Sequence, residues 1–482
     1  MFNQYNPASY IYGTQFLETQ YQSQKSDQIN FVCFDYVKDY PKFSLTEAFE
    51  DGIHGVVDRL PELPNEEKET YNKRKEAATL NNYVTRLSRA TVSAIFRKDA
   101  ELENIPPFLE KLLPKLDGQK DVQEVLKDLT YLLVRDGGCF VVVDAPKFGD
   151  EGQPFVKILE RSKVINWRFV PNSSELEMAV TVESYLTNNG EFGQQSVMRY
   201  RHYRMVEGVC HIAVYEQSMV RSAQQDAFEL IEDIKTDFDF LPVEKLDIKT
   251  SPMYETALLN LKMMSFESLL DRYMQLSVLP QPIFWGVDTD EDGNYQHSKP
   301  AMVLGVDSAV FFTGDKSESD FEWREVSGSS ITLTRDHIEQ IKEDCLQAYE
   351  RSQNDVVKSS NESATTSKIR NSSSTAFLSY VATLVEESAT SVFTKLAKMV
   401  GESFDNSEVH INTDFNPSID QSNAQNILTA FSTGVITQES ALLSLMATET
   451  IQLSGTVEEE VEATVANDLL AEDDEDLYDE YE

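Results

Sequence analysis

Asp288-Thr289-Asp290-Glu291-Asp292-Gly293 comes nearest to a chemical site in this sequence. Alternating carboxylates followed by glycine open an EF-hand loop, in which side-chain oxygens wrap a calcium ion. That loop closes on a bidentate glutamate at its twelfth position, which here is Lys299. The preceding Gln-Pro-Ile-Phe-Trp-Gly-Val reads as a strand rather than a helix, so Asp288, Asp290 and Asp292 form only a weak metal candidate. An exposed hairpin turn accounts for them better. Elsewhere the chemistry thins out. The chain has no Gly-x-x-x-x-Gly-Lys-Ser/Thr phosphate loop, no Gly-x-Gly-x-x-Gly after a strand and no Gly-x-Ser-x-Gly nucleophile turn. Its six histidines, His54, His202, His211, His297, His337 and His410, lack the spacing of metal ligands on a helix. The expectation is no enzyme: no catalytic residues, no cofactor and no metal.

Charge narrows the class further. Asp and Glu number 82 against 42 Lys and Arg, a net charge of −40 and a pI near 4.4. Such a surface does not wrap nucleic acid by neutralising phosphates. It keeps the protein soluble, and it can also repel or pass a polyanion. At 482 residues the chain exceeds one ordinary core, and two to four subdomains are expected. Cys33, Cys139, Cys210 and Cys345 are far apart, which suits reduced thiols in a cytoplasm-like compartment. The N-terminal residues lack a basic and then apolar leader, and runs such as Phe140–Val143 are too short to span a bilayer. A soluble, intracellular product without a membrane partner is expected.

Residues 1–70 read as irregular. The spacing of Tyr83, Val84, Leu87, Thr91, Ala94 and Ile95 predicts a helix over about 71–97, and a second over 121–136 ends at Gly137-Gly138. Strands are expected at Cys139–Asp144, Pro154–Leu159, Val164–Phe169, Glu177–Leu186, Ser196–Met205 and Val209–Gln217, the fifth half-exposed, giving an α+β body to about residue 250. A long helix follows at Met253–Leu279, with Leu258, Leu261, Phe266, Leu269, Leu270, Tyr273 and Leu276 toward one side. Short strands then cover 281–330, and a helix runs from about Leu333 to Arg351 with Ile338, Ile341, Cys345 and Tyr349 inward. A polar hinge, Ser352–Ser374, separates it from a helix over Ala376–Val400. Helices are expected again around Asn426–Thr433 and Gln438–Thr450. Residues 456–482 hold 13 acidic residues and no basic ones, leaving −27 on the rest, and read as a solvated, disordered tail.

Four segments in conserved order resemble the portal proteins of tailed bacteriophages, in a branch formerly catalogued as a family of unknown function. They are Y-V-T-R-L-S-R-A-T-V-S-A-I-F-R-K at Tyr83–Lys98, L-V-R-D-G-G-C-F-V-V-V-D at Leu133–Asp144, V-I-N-W-R-F at Val164–Phe169, and N-E-S-A-T-T-S-K-I-R-N-S-S-S-T-A-F-L-S-Y at Asn361–Tyr380. V-E-E-S and then N-T-D-F at Asn412–Phe415 follow the last. The first 60 residues and the acidic tail leave the pattern.

The resemblance implies an α+β subunit with an α/β wing, helical stem, small β-containing clip and helical crown, assembled as a homo-oligomeric ring. It implies a wing over 1–252, stem helices at 253–280 and 333–351, a clip at 281–332, a channel loop at 352–371, a wing helix and return strand at 372–420, and a crown at 421–455. Lys358, Ser359, Ser360, Asn361, Ser363, Thr365, Thr366, Lys368 and Arg370 would line the DNA channel. The implied partners are double-stranded DNA held weakly, terminase, a major capsid or scaffolding protein and a head–tail adaptor. The implied location is the virion's portal vertex, with assembly in the host cytoplasm. Twelve copies would carry about −480, a bore and rim to which DNA does not stick. The competing reading is an acidic DNA mimic or DNA-processing accessory protein.

Overall fold

A computed structural model of the chain describes residues 28–63, 66–144, 153–189, 192–217, 228–248, 251–278, 281–285, 310–312, 321–324, 328–356, 366–405, 407–413, 415, 421–433 and 435–447. The chain divides into two units, Met1–Thr413 and Asp414–Glu482.

The first correction falls where irregular chain was expected. Phe34–Ala48 is helix α1 and Ile53–Val56 a one-turn helix α2. Helix α1 buries Tyr36, Val37, Phe43 and Leu45, and that burial outweighs the backbone hydrogen bond lost at Pro41 inside it. The single helix expected over 71–97 is two, α3 (Lys68–Ala77) and α4 (Tyr83–Ile95). Asn82 caps the second, its side chain accepting from Thr85 N at 3.0 Å. Val84, Ser88, Thr91 and Ile95 then form the buried stripe. Strand β1 (Glu101–Glu103) and helix α5 (Pro107–Leu112) lead to α6 (Val122–Asp136). Asp121 caps α6 at its start, and Gly137 ends it in the left-handed conformation at φ 75°.

Next come β2 (Gly138–Asp144), β3 (Phe155–Leu159), β4 (Val164–Phe169), β5 (Leu176–Asn189), β6 (Gly193–Val206), β7 (Val209–Gln217), β8 (Phe228–Lys235) and β9 (Val243–Asp247). They form two antiparallel sheets, ordered β3-β2-β9 and β4-β5-β6-β7-β8. The central β2 is buried along its apolar run, as a strand covered on both faces must be. Phe43 of α1, Phe140 of β2, Trp167 of β4 and Tyr203 of β6 share one core, so both sheets close over α1. Tyr200 and Tyr203 are buried from opposite faces of β6.

Helix α7 (Tyr254–Val278) leaves this body. Beyond it lie β10 (Gln281–Trp285), β11 (Val310–Phe312) and β12 (Phe321–Arg324), a three-stranded sheet ordered β11-β10-β12. Helix α8 (Gly328–Val356) returns antiparallel to α7, and α9 (Thr366–Val400) follows. Strand β13 (Glu408–His410) pairs with β1, some 300 residues back in sequence. The second unit holds α10 (Gln421–Ser432) and α11 (Gln438–Ala447). Thr437 starts the latter, its hydroxyl oxygen accepting from Ser440 N at 3.2 Å.

Two further expectations change. Helix α7 does not bury one apolar side: Thr256, Asn260, Ser265 and Ser268 are buried with Met263 and Met264, while Phe266, Leu269 and Leu270 are only half-buried. On α8 the inner row is Ile338, Ile341, Cys345, Ala348 and Ser352, and Tyr349 is half-buried. The tail over 456–482 lies outside the described residues.

Candidate functional site

The α7–α8 hairpin is a long lever, and its root is polar. At 25 and 29 residues the helices extend about 37 and 43 Å. Apolar contacts zip them, with Met263 against Ile338, Ile341 and Cys345, and the Phe266 ring edge-on to His337 at 4.7 Å. Near the body, Thr256 Oγ1 donates to Cys345 O at 3.3 Å, and Ser352 Oγ donates to Pro252 O at 2.8 Å.

Asn260 joins this lever to the body. It is wholly buried, its Nδ2 donating to Asn81 O at 2.8 Å while its Oδ1 accepts from Tyr83 N at 2.8 Å. Those two backbone groups lie where the chain breaks between α3 and α4, so the side chain stands in for an interrupted helix ladder. Arg74 adds a second tie. Its Nε and Nη2 clasp Glu66 at 2.8 and 2.7 Å, and Nη1 donates to Ser268 Oγ of α7 at 3.1 Å. The side chains of Arg74 and Glu66 are 2% and 4% exposed, so this pair is desolvated and held by its geometry.

A second polar centre lies under α6. Arg135, wholly buried, donates Nε and Nη2 to Asp136 at 2.8 and 2.7 Å, Nη1 to Glu50 at 2.9 Å and Nη2 to Glu160 at 3.1 Å. Thr46 Oγ1 donates to Asp136 at 2.8 Å. Burial alone would pull the Arg135 guanidinium down, but the Asp136 and Glu160 carboxylates hold it above its usual range. Burial and then the Asp136 charge push the nearby Glu47 carboxyl up to about 8. A cavity of about 510 Å³ opens beside this cluster, between α6 and β3, lined by Glu50, Lys120, Tyr131, Arg135, Lys157 and Glu160. Its cations already have partners: Lys120 pairs with Asp128, Lys157 with Glu183, and Arg135 with Glu50 and Glu160. The groups satisfy one another, and none is set as a nucleophile beside a base. The cluster locks helix to sheet.

The channel residues expected from sequence are placed only in part. Lys358, Ser359, Ser360, Asn361, Ser363 and Thr365 lie outside the described residues, as do Asp288, Asp290 and Asp292. Thr366, Lys368 and Arg370 fall on the opening turns of α9, ten residues before the expected helix start. The polar hinge is therefore shorter than read, because α8 runs on to Val356 and leaves 357–365 between the helices. Ser352 is buried within α8, its hydroxyl also donating to Tyr349 O at 2.7 Å. Glu103, Glu408 and His410 bring potential metal-ligating atoms within 4.8 Å on the exposed β1–β13 ribbon, but His410 there already pairs with Glu408 at 3.1 Å.

Sequence reasoning missed Asn260 and the Arg135 cluster as structural centres. The available signals were a lone amide in Leu-Leu-Asn-Leu and an Arg-Asp pair inside an otherwise apolar helix-to-strand step.

Comparison with known proteins adds one sequence match. A family described as a domain of unknown function, DUF4055, matches residues 252–399. That is under half of the chain. No curated protein matches it. Among solved structures, the chain is similar to one from the neck of a native GTA particle computed with C12 symmetry, at 12% identity and a TM-score of 0.36, covering 75% of this chain and 89% of that one. A chain from the neck of an empty GTA particle computed with C6 symmetry gives 12% identity and a TM-score of 0.36, covering 83% and 93%. Likeness at that level leaves this chain's function open.

The matched segment coincides with a structural unit. It opens at Pro252, whose carbonyl takes the Ser352 hydroxyl, and runs through α7, the small sheet and α8 into α9.

Proposed function

We propose that this chain is a portal-type subunit of a tailed-phage-like particle. Roughly twelve copies close into a ring at one capsid vertex, and double-stranded DNA passes through the bore during packaging and ejection. The observation that carries this reading is the α7–α8 hairpin: two long helices rooted by Asn260 in an α+β body, with a small sheet at the far end and α9 following directly. Repeated about an axis, such rooted hairpins build a stem around a hole, and the sheets form a rim on which another ring can dock. The order of the four resembling segments supports the same reading, as does a net charge of −40 that keeps DNA from adhering.

In this role the chain is a conduit and not an enzyme. A terminase motor supplies force and docks on residues 281–332, a capsid or scaffolding protein surrounds the body, and a head–tail adaptor joins below. Lys358, Lys368 and Arg370 make brief phosphate contacts at the bore. The subunit resides at the virion's portal vertex after assembling in the host cytoplasm.

Native mass spectrometry with negative-stain imaging of the purified chain tests the proposal. Closed rings of several hundred kilodaltons with a central hole are expected. A stable monomer with nuclease or ATPase activity overturns it.

A further inference from the structure

A second cavity, of about 160 Å³, lies between α1, the end of β9 and the segment leading into α7. Arg161, in the turn between β3 and β4, forms part of its wall. This arginine is 5% exposed, and its guanidinium lies over the Phe43 ring at 5.8 Å. Its Nη2 donates to Asp39 at 2.6 Å and its Nη1 to Asp247 at 3.3 Å. Two glycines leave the room for this. A Cβ on Gly138 would stand 3.1 Å from Arg161 Nη1, and one on Gly137 would stand 2.8 Å from Ser251 Cα. The Gly137-Gly138 pair thus lets the guanidinium and Ser251 come close to the same turn.

Hydrogen bonding in this cavity is lopsided. Its three carboxylates are fully engaged. Asp39 accepts from Arg161 on one oxygen and from Lys42 on the other, at 3.5 Å. Asp247 accepts from Arg161 and Lys245, and Asp136 accepts from Arg135 and Thr46. Every carboxylate oxygen therefore has a donor, and the groups left over are donors themselves. Arg161 Nε and Ser251 Oγ are buried without a partner among the described residues. Lys38, exposed at the cavity wall, has no ion pair there either. Buried donors left unpaired are costly, so this cavity calls for an acceptor. Charge points the same way. Lys38, Lys42, Arg161 and Lys245 outnumber Asp39 and Asp247, while Asp136 faces Arg135, in a chain whose net charge is −40. Water can accept from such donors, but it does not answer the surplus of positive charge.

We propose that this cavity binds a small tetrahedral oxyanion of the phosphate class, which accepts from Arg161 Nε and Ser251 Oγ and pairs with Lys38 and Lys42. At about 160 Å³ the space is well above the roughly 10–15 Å³ that one water needs. It is also below the roughly 300 Å³ at which pockets for larger ligands begin, so a single phosphate group fits and a nucleoside does not. Two sources share that chemistry: the free ion and the terminal phosphate of a nucleic-acid strand. The bound anion ties α1 and the β3–β4 turn to Ser251, next to the Pro252 carbonyl that already holds Ser352. It therefore stiffens the point where the α7–α8 hairpin leaves the body. The site lies within one chain and does not rest on the ring reading.

Isothermal titration of the full chain with inorganic phosphate, against chloride of matched ionic strength, tests this. A 5′-phosphorylated trinucleotide and its 5′-hydroxyl twin separate the two sources. A dissociation constant of about 1 mM or tighter is expected for phosphate, or for the phosphorylated end over the hydroxyl one. Ser251→Ala removes a hydroxyl that has no partner in the fold. The melting temperature without phosphate should therefore hold, while binding weakens by about tenfold. Lys38→Glu, at an exposed position, should weaken binding by a similar factor, whereas Lys111→Glu, exposed on α5 and outside the cavity lining, should not. A parent chain that binds neither phosphate nor the phosphorylated end overturns the proposal. So does binding that Lys111→Glu weakens as much as Lys38→Glu, since that is general attraction to cations. Binding left unchanged by Ser251→Ala overturns it too, as does a Ser251→Ala variant that melts lower without phosphate, because the hydroxyl is then structural.

Discussion

Replacing Asn260 with leucine removes the amide that joins α7 to the α3–α4 break. The branched shape is kept, so the change falls chiefly on hydrogen bonding. Two partly buried backbone groups, Tyr83 N–H and Asn81 C=O, lose partners now 2.8 Å away and keep only the 3.0 Å bond to each other. A hydrogen bond contributes about 0.5–1.5 kcal/mol net, so the loss of two is expected to cost about 1–3 kcal/mol. At about 2.1 cal/mol/K per residue, a unit spanning Met1–Thr413 would then melt roughly 1–3 °C lower in the main calorimetric transition. Asn260→Asp gives a sharper test. Its Oδ1 can still accept from Tyr83, but an ionised carboxylate puts an acceptor against Asn81 O. The variant should be destabilised at neutral pH and recover on acidification, when a protonated carboxyl can donate again. Hydrogen exchange should report the same site through a faster Tyr83 amide in Asn260→Leu. A leucine variant that melts as the parent does and leaves that amide equally protected refutes the anchor.

Arg135→Met leaves Asp136, Glu50 and Glu160 without their shared cation, and a loss of about 3–5 kcal/mol is expected from chemical denaturation. Glu47 bears on pH dependence: its carboxyl titrates near 8 in the fold against about 4.3 in the unfolded chain, so the fold holds a proton that the unfolded chain releases between those values. Its contribution is complete below about 4.3 and is lost as pH rises through 8. Glu47→Gln should therefore match the parent's melting temperature near pH 4 and exceed it near pH 9, and a gap that does not widen with pH refutes the assignment. Gly137→Ala forces a Cβ to 2.8 Å from Ser251 Cα at φ 75° and should cost more than Gly208→Ala, at φ 80° with open space around it, where about 1 kcal/mol is expected from urea midpoints.

The sequence was legible where local chemistry alone decides. Strands Val164–Phe169 and Val209–Gln217 were read to the residue, the latter because Glu207-Gly208 forms a tight turn with positive φ at both residues. Strand β8, Phe-Glu-Leu-Ile-Glu-Asp-Ile-Lys, escaped because it is a sheet edge, largely exposed, and carries no clean alternation. Helix α1 escaped because Pro41 suggested a break that tertiary burial overrides. The one-sided reading of α7 failed because packing on several sides buries Thr256 and Asn260 as well as leucines, something periodicity cannot register. The alignment of Arg168, Arg204, His211 and Lys235 at one level of the five-stranded sheet was illegible for a different reason. Its members span 68 positions, and only register aligns them.

The β1–β13 ribbon has a mechanical consequence. It ties the segment leading to Thr413 back to residues 101–103, and the carboxylate of Glu386 on α9 accepts from Ile411 N at 2.9 Å just beyond the strand. Tension arriving along the chain from residue 414 onward would meet Glu386 first and then the three-residue ribbon. Along the strand axis those hydrogen bonds are loaded together in shear, whereas a sideways pull peels them one at a time. The chain therefore enters its larger unit through a direction-sensitive clasp, firm against axial traction and weak against lateral prying.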